Sequence, residues 1–476
     1  MFAFALRPIV LVVLATTLVW ALVLGWWRAA GYEPSTIDIA THLVLLPATL
    51  LAGFWLLRTF IEHLRQPPHT AANAPAPQGT ATIGLPAVAA SGPTRHTDTF
   101  LIAFALQCAQ GTDPAQVLDA SREGCTPPLD DHLRDTHGFP VFAARVADLS
   151  REELDEALND HSVDMRRMDR DEDGRALAML HATLPRALDE IAESIALDPA
   201  AIRAVFWLSD RDWPDEHCAG LAAWLRREHL APRGIAVADV RFRHLQDDAQ
   251  AFEIIREAIT DLKRQESPAI VLVMGAVSHV GEGTIATWEA GSRLFTANTQ
   301  DGRIPGEAAA VLLLANPAGA ALVGRLPSPR LSHPASGRSA PPGDAGAKTD
   351  SSLLGSLIDT ILAETRLDAA HVSNALADAD HRAPVTKELL RTLSERFPAL
   401  EPLSDTLSLG PATGFASPIG GLVTLLCAAE AASAANGVAL CLTCQSPHAR
   451  AAMIVDASPL ASMSPPQTPV SALDAT

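Results

Sequence analysis

Positive charge and cysteine are both scarce in this 476-residue chain. Lys plus Arg number 36 against 55 Asp plus Glu, a formal net charge of −19. A nucleic-acid duplex or an anionic lipid surface would be repelled by the bulk of such a molecule, which argues against nucleic acid as a partner. Six cysteines, at 108, 125, 218, 427, 441 and 444, are too few and too apolar in their surroundings for a disulfide framework, and they read as reduced thiols. None occurs between 219 and 426.

Long apolar runs, by contrast, are present. Residues 8–27 carry no charge and number twenty, about the length a helix needs to cross roughly 30 Å of hydrocarbon. Residues 39–57 make a second such run. A secretory signal is the other reading of the first run, but it lacks a small-residue cleavage site and a second span follows at once. Arg7, Arg58 and Arg65 flank the pair, while the connecting loop has only Arg28, offset by Glu33 and Asp38. The positive-inside rule then places both ends in the cytoplasm. Trp26, Trp27, Tyr32 and Trp55 stand where interfacial aromatics belong, and His42 is near enough to one end of its span to reach the interface. The expectation is a two-helix transmembrane hairpin over 1–65, touching the lipid bilayer through 8–27 and 39–57, in a multi-pass bacterial inner-membrane protein with a cytoplasmic domain.

Residues 66–97 are rich in Pro, Ala, Gly and Thr, which predicts a flexible linker. The same composition marks 327–351 as a disordered insertion and 457–476 as a disordered tail, leaving ordered blocks at 98–326 and 352–456. Apolar runs at 100–106, 204–209, 269–277, 309–315, 438–444 and 451–457 read as strands buried on both faces. Helical spacing occupies 176–197, 250–266 and 353–366, so the chain is α/β. One further helix, 418–436, has small or apolar residues on almost every side and Glu430 as its only charge. Ser417 can cap it, Pro418 suits its first turn and Gly437 ends it; such a helix belongs between layers.

The order of pieces around "TANTQDGRIPGEAAAVLLL" (296–314) carries a resemblance. A strand ending in glycine precedes an excursion through Trp288 and Phe295, an Asp301-Gly302 turn, and Gly306-Glu307 entering another strand. This resembles β-ketoacyl synthases and the wider thiolase-like fold, over about 250–315 and again over 405–456. The resemblance implies a five-layer α/β/α/β/α sandwich of two similar halves, 98–326 and 352–456, with 418–436 as a central helix. It also implies a nucleophilic cysteine at a helix start and two oxyanion-stabilising residues.

The family's chemistry is missing from the matching positions. The nucleophile belongs around 244–250, which reads "HLQDDAQ"; the first histidine belongs in 371–382, which lacks the family's Gly-Thr-Gly-Thr turn. In "GPATGFAS" (410–417), Gly410, Gly414 and Ala416 fit the backbone pattern, but Pro411 stands where the second histidine would, and proline has no titratable group. The closing Gly-Phe-Gly-Gly loop is replaced by "CQSPHARAA". Catalytic, cofactor and metal residues are therefore each expected to be none, and the loop at 296–314 reads as a relic that holds the fold.

Other motifs have plainer readings. Asp169, Asp171, Asp173 and Gly174 begin an EF-hand pattern, but Leu180 occupies the position that requires glutamate, so a solvated turn before a helix is expected. Cys441 and Cys444 form a CxxC with no second pair, which predicts core thiols. "GEGT" (281–284) lacks the P-loop lysine and predicts a surface turn, and the acidic run 150–173 predicts an exposed helical face.

With that chemistry removed, a non-catalytic, membrane-anchored accessory or adaptor holding a protein partner is the leading expectation. Some non-catalytic thiolase-like proteins resemble accessory proteins of type VI secretion effectors, which makes secretion a setting by analogy alone. Two alternatives stand beside it: a divergent acyltransferase working through Cys218 or Cys427, and an acyl-ligand sensor. The resemblance further suggests a homodimer paired through its sheets.

Overall fold

The computed structural model describes residues 98–150, 152–159, 171–195, 198, 201–237, 239–325, 329–339 and 352–459, together with 20, 26 and 28. In chain order the first half comprises β1 (Phe100–Cys108), α1 (Pro114–Arg122), β2 (Leu129–Arg134), β3 (Pro140–Phe142), α2 (Glu152–Asn159), α3 (Asp171–Asp189), α4 (Ala192–Ile195), β4 (Ile202–Ser209), α5 (Asp215–Trp224), β5 (Val240–His244), α6 (Asp248–Lys263), β6 (Ile270–Ser278), α7 (Glu282–Ala290), β7 (Glu307–Ala315) and α8 (Pro317–Leu322). Then come β8 (Arg330–Leu331), β9 (Ala335–Arg338), α9 (Ser352–Thr365), β10 (Val372–Ala377), α10 (Ala383–Arg396), β11 (Thr406–Ser408), α11 (Gly410–Thr413), α12 (Gly420–Ala435), β12 (Val438–Thr443) and β13 (Ala449–Asp456).

Eleven strands form one hydrogen-bonded sheet, and its two halves repeat a single pattern of pairing. In the first half β5, β4 and β6 run parallel, and β7 and then β1 join antiparallel. In the second, β11, β10 and β12 run parallel, and β13 and then β9 join antiparallel. The apolar runs that form β6, β7 and β12 are buried at every residue, as expected of strands covered on both faces.

Three apolar clusters account for the layering. One joins α6 and α12 to both sheet halves, with Phe252, Ile255, Leu422 and Leu426 all buried. A second packs α3 and α5 on the far side of the first half, and a third packs α9 and α10 on the far side of the second. The small residues of α12 let it lie between strands, as its even composition predicts.

Several expectations are corrected. Among the described residues no helix is long and apolar enough to cross a membrane, which overturns the multi-pass inner-membrane localisation. The runs 8–27 and 39–57 lie outside the described residues apart from Trp20 and Trp26, so the two-helix preface to the fold has no support. The linker 66–97, His42, Asp169 and most of the tail also lie outside them.

Residues 329–339, expected within a disordered insertion, form β8 and β9 instead. β8 pairs with both β1 and β13, linking the two sheet halves, and buries Leu331. Helix α12 starts at Gly420 rather than on a Ser417 cap: Asp248, reached across the molecule, accepts the Gly421 N–H at 2.6 Å. "GEGT" opens α7 rather than forming a separate turn: Glu282 and Gly283 are exposed as expected, while Gly281 and Thr284 are buried and both Thr284 donors bond Glu172. Asp171 and Asp173 lie in the first turn of α3, where Asp173 pairs with Arg211. In α2, Leu154 and Leu158 are buried while Glu156 is exposed, so that part of the acidic run is one-sided.

Candidate functional site

Loops from both halves meet at the carboxyl ends of the parallel strands, where open α/β sheets gather their ligand sites. A cleft of about 340 Å³ opens there. Asp210 follows β4, His244 closes β5, Asp247 precedes α6 and His279 follows β6. Trp288 comes from α7, Arg303 from the loop before β7, Phe415 and Ser417 from the segment before α12, and Ser446 from beyond β12.

The segments carrying Arg303 and Phe415 are laced together. Phe415 N–H donates to Ile304 O at 2.8 Å and Gly306 N–H to Phe415 O at 3.1 Å. A Cβ on Gly306 would lie 2.4 Å from Thr413 O, so only glycine admits this approach. Gly414 has φ 68°, the left-handed region glycine tolerates. The glycines of the opening loop and of 410–417 thus serve one close contact, which seats Phe415 at the cleft.

Glu307, the acidic residue of the loop, faces away from that task. It is fully buried and accepts from Val146 N–H at 2.6 Å, Ser278 Oγ at 2.7 Å and Arg175 Nε at 2.9 Å. It pins β7 to β6 and α3. Arg303, four residues earlier, does the opposite. Its Cζ lies 4.1 Å from the Phe415 ring centroid and 5.8 Å from that of Trp288. Among the described residues its guanidinium has no carboxylate within ion-pair reach and donates no hydrogen bond. Burial, then the charges of Arg382 and Arg293, push it down to about 10, so it stays protonated at neutral pH.

His279 donates from Nε2 to Ser417 O at 2.8 Å and packs on Trp288 and Phe415, with ring centroids 5.2 and 5.6 Å away. Burial lowers its pKa, so the imidazole is neutral and its Nδ1 is an acceptor. It adds no positive charge to the cleft.

Beneath the cleft lies a pair of carboxylates. Asp248 Oδ1 caps α12 through Gly421, and Asp378 Oδ1 accepts from Cys444 N–H at 2.6 Å and Gln445 N–H at 3.1 Å. Among the described residues the other oxygen of each, with Thr443 Oγ1, is buried without a hydrogen-bond partner. Burial, then the charge of Asp248, pushes Asp378 up to about 8, and burial also raises Asp248. The pair therefore retains a proton at neutral pH.

The residues singled out from sequence fall as follows. Asp247, within the stretch 244–250 where the resemblance predicts a cysteine, is the N-cap of α6; it accepts from Gln250 N–H at 3.1 Å and pairs with Arg338 at 2.6 Å. Neither Cys218 nor Cys427 lines the cleft, and both thiols are pushed up, by burial first and then by Asp215 and Asp212 at Cys218 and by the thiols of Cys108 and Cys441 at Cys427. Cys441 and Cys444 are fully buried thiols, also raised by burial. Pro411 lies in α11, and His381 packs on Phe295 at 4.9 Å outside the cleft lining. Arg303 and His279 were not marked by the sequence. The one available signal was a basic residue inside the glycine-flanked turn "DGRIPGE".

No protein-family model matches the chain, and no curated protein matches it. Solved structures do. The ketosynthase from module 1 of the bacillaene synthase of Bacillus amyloliquefaciens FZB42 is similar at TM-score 0.54 and 12% identity, over 78% of this chain and 75% of that one. A β-ketoacyl synthase from Burkholderia phymatum STM815 gives 0.52 and 12%, over 75% and 99%. A type II polyketide ketosynthase, described in complex with its acyl-carrier protein and bound to a hexaketide, gives 0.51 and 12%, over 77% and 99%. Identities this low speak to architecture alone, and the mixed α/β body with its large sheet has a thiolase-like, ketosynthase-type fold.

Proposed function

We propose that this chain is a divergent ketosynthase-like protein that binds an acyl ligand in the cleft without forming a thioester on it, on a five-layer body of two similar halves. The observation that supports this is the start of α6. The helix end that would hold an activated thiol is occupied by Asp247, already committed to Gln250 and Arg338, while the cleft beside it remains open. The cleft sets the rings of Trp288 and Phe415 among polar side chains such as Asp210, Gln246 and Arg303, and convergent polar groups beside an apolar wall can orient a small molecule. The neighbour described with acyl-carrier protein and a hexaketide supplies the ligand class to try first. An adaptor role gains no comparable support, because neither the fold nor the cleft points to a held protein.

The test is thermal unfolding of the full chain with butyryl-pantetheine, followed by mass spectrometry of protein and ligand. At one hundred times Kd the ligand should add about 2.7 kcal/mol of stability. The thioester should be recovered intact and the protein unacylated. Stabilisation accompanied by an acylated residue would make this an enzyme, and no stabilisation at millimolar ligand would remove the ligand-binding role.

A further inference from the structure

Building on that ligand-binding role, we propose that the cleft selects an acyl group ending in a free carboxylate, which Arg303 holds as an ion pair. A guanidinium carries five N–H donors and cannot be left without acceptors cheaply once it is partly withdrawn from water. With Cζ 4.1 Å from the Phe415 centroid, the ring covers one face of the group, and its N–H edge is what remains for a ligand. Of the two neighbouring cations, Arg382 is already engaged by Asp380 and by Gln445 O, and Arg293 is exposed and does not line the cleft, so among the described residues Arg303 is the cation the cleft offers an incoming anion.

The surroundings favour a carboxylate over a phosphate. Phosphate sites usually draw on the N–H groups at a helix N-terminus. Here both nearby helix starts are filled by the protein's own acids: Asp247 caps α6 and Asp248 caps α12. Asp210 shares the cleft and would repel a dianion. A single planar guanidinium matches a planar carboxylate, which it grips through two parallel hydrogen bonds. About 340 Å³ holds on the order of ten water volumes, room for a short acyl chain with a polar end.

Calorimetric titration of the full chain with succinyl-pantetheine and butyryl-pantetheine isolates the carboxylate, since the two differ in little else. Succinyl-pantetheine should bind about tenfold tighter or more, the range of a charge-assisted hydrogen bond. R303Q should abolish that preference while leaving butyryl-pantetheine binding in place, and R303K should keep part of it. D210N, which leaves Arg303 untouched, should enlarge the preference by removing a like charge, so the idea remains exposed even if R303Q fails to fold. Equal binding of the two ligands, or a preference that survives in R303Q, overturns the carboxylate assignment and spares the acyl-binding role. Inorganic phosphate displacing succinyl-pantetheine at equal concentration overturns it as well. Binding of neither thioester brings down both.

Discussion

Arg303 and Glu307, the partner of Arg175, stand four residues apart on one stretch of backbone, and the two arginines have opposite fates. Arg175 is drawn into the interior, where Glu307 and Val146 O take its donors, and its pKa rises. Arg303 is partly covered by aromatic rings, has no carboxylate within ion-pair reach among the described residues, and is pushed down to about 10. Burial is common to both, so burial alone does not separate a structural charge from a binding one. The partner does. A cation already satisfied within the chain ties elements together, and a covered cation left unsatisfied is held ready for something that comes from outside.

The largest effect should come from breaking the satisfied side. Glu307→Ala leaves Arg175 buried with no counter-charge and strips acceptors from Val146 and Ser278, which should cost about 3–5 kcal/mol in urea unfolding. R303Q removes a desolvated charge that has no ion-pair partner among the described residues and should change stability by about 1 kcal/mol or less. Equal losses from the two variants would break the comparison, because Arg303 would then be holding the fold as Arg175 does.

What the sequence revealed was what local pattern encodes. Strands β6, β7 and β12 and the interior helix α12 are legible because their apolar runs need no distant partner to be recognised. The features that were missed depend on residues far apart in the chain. Asp248 caps α12 from 173 positions away, Glu172 bonds Thr284 of "GEGT" from α3, and β8 exists because β1 and β13 leave room for a two-residue strand. Arg303 is one basic residue in a turn until Phe415 is brought beneath it. The absence of cysteine between 219 and 426 was legible in the sequence, but the cleft could not be read from residue types. The membrane localisation rested on local hydropathy and the residues flanking it, and no described helix bears it out.

A pH-dependent effect sharpens the same contrast with the sign reversed, in a buried acid. Asp378 is raised from 3.8 to about 8, so the folded protein holds a proton that the unfolded chain gives up. That contribution to stability is full below about pH 4 and is lost as pH rises toward 8. Asp378→Asn should keep the acceptor used by Cys444 and Gln445 and remove the titration. The melting temperature of the variant relative to the parent should climb between pH 5 and pH 8 and level off above. Asp248→Asn should flatten much of the parent's slope as well, because the neighbouring charge is gone, and the two substitutions together should be less than additive. A pH-independent difference would show that Asp378 ionises like an ordinary exposed aspartate.

The smallest effect expected is none at all, and it bears on how the ligand is held. If Arg303 captures an anion by ion pairing, no thiol need react, and the chain's cysteines should be as inert as their burial implies. Cys427 sits in the interior of α12 and Cys218 is raised by burial and by Asp215 and Asp212, so neither is a ready thiolate at neutral pH. Iodoacetamide at neutral pH, with alkylation followed by peptide mass spectrometry, should label Cys218 no faster than a free thiol and Cys427 only on unfolding. A cysteine that reacts faster than free thiol, and is protected by butyryl-pantetheine, would move the chemistry from Arg303 to sulfur. The unpaired arginine would then be an orienting charge for a covalent reaction rather than the principal grip on the ligand.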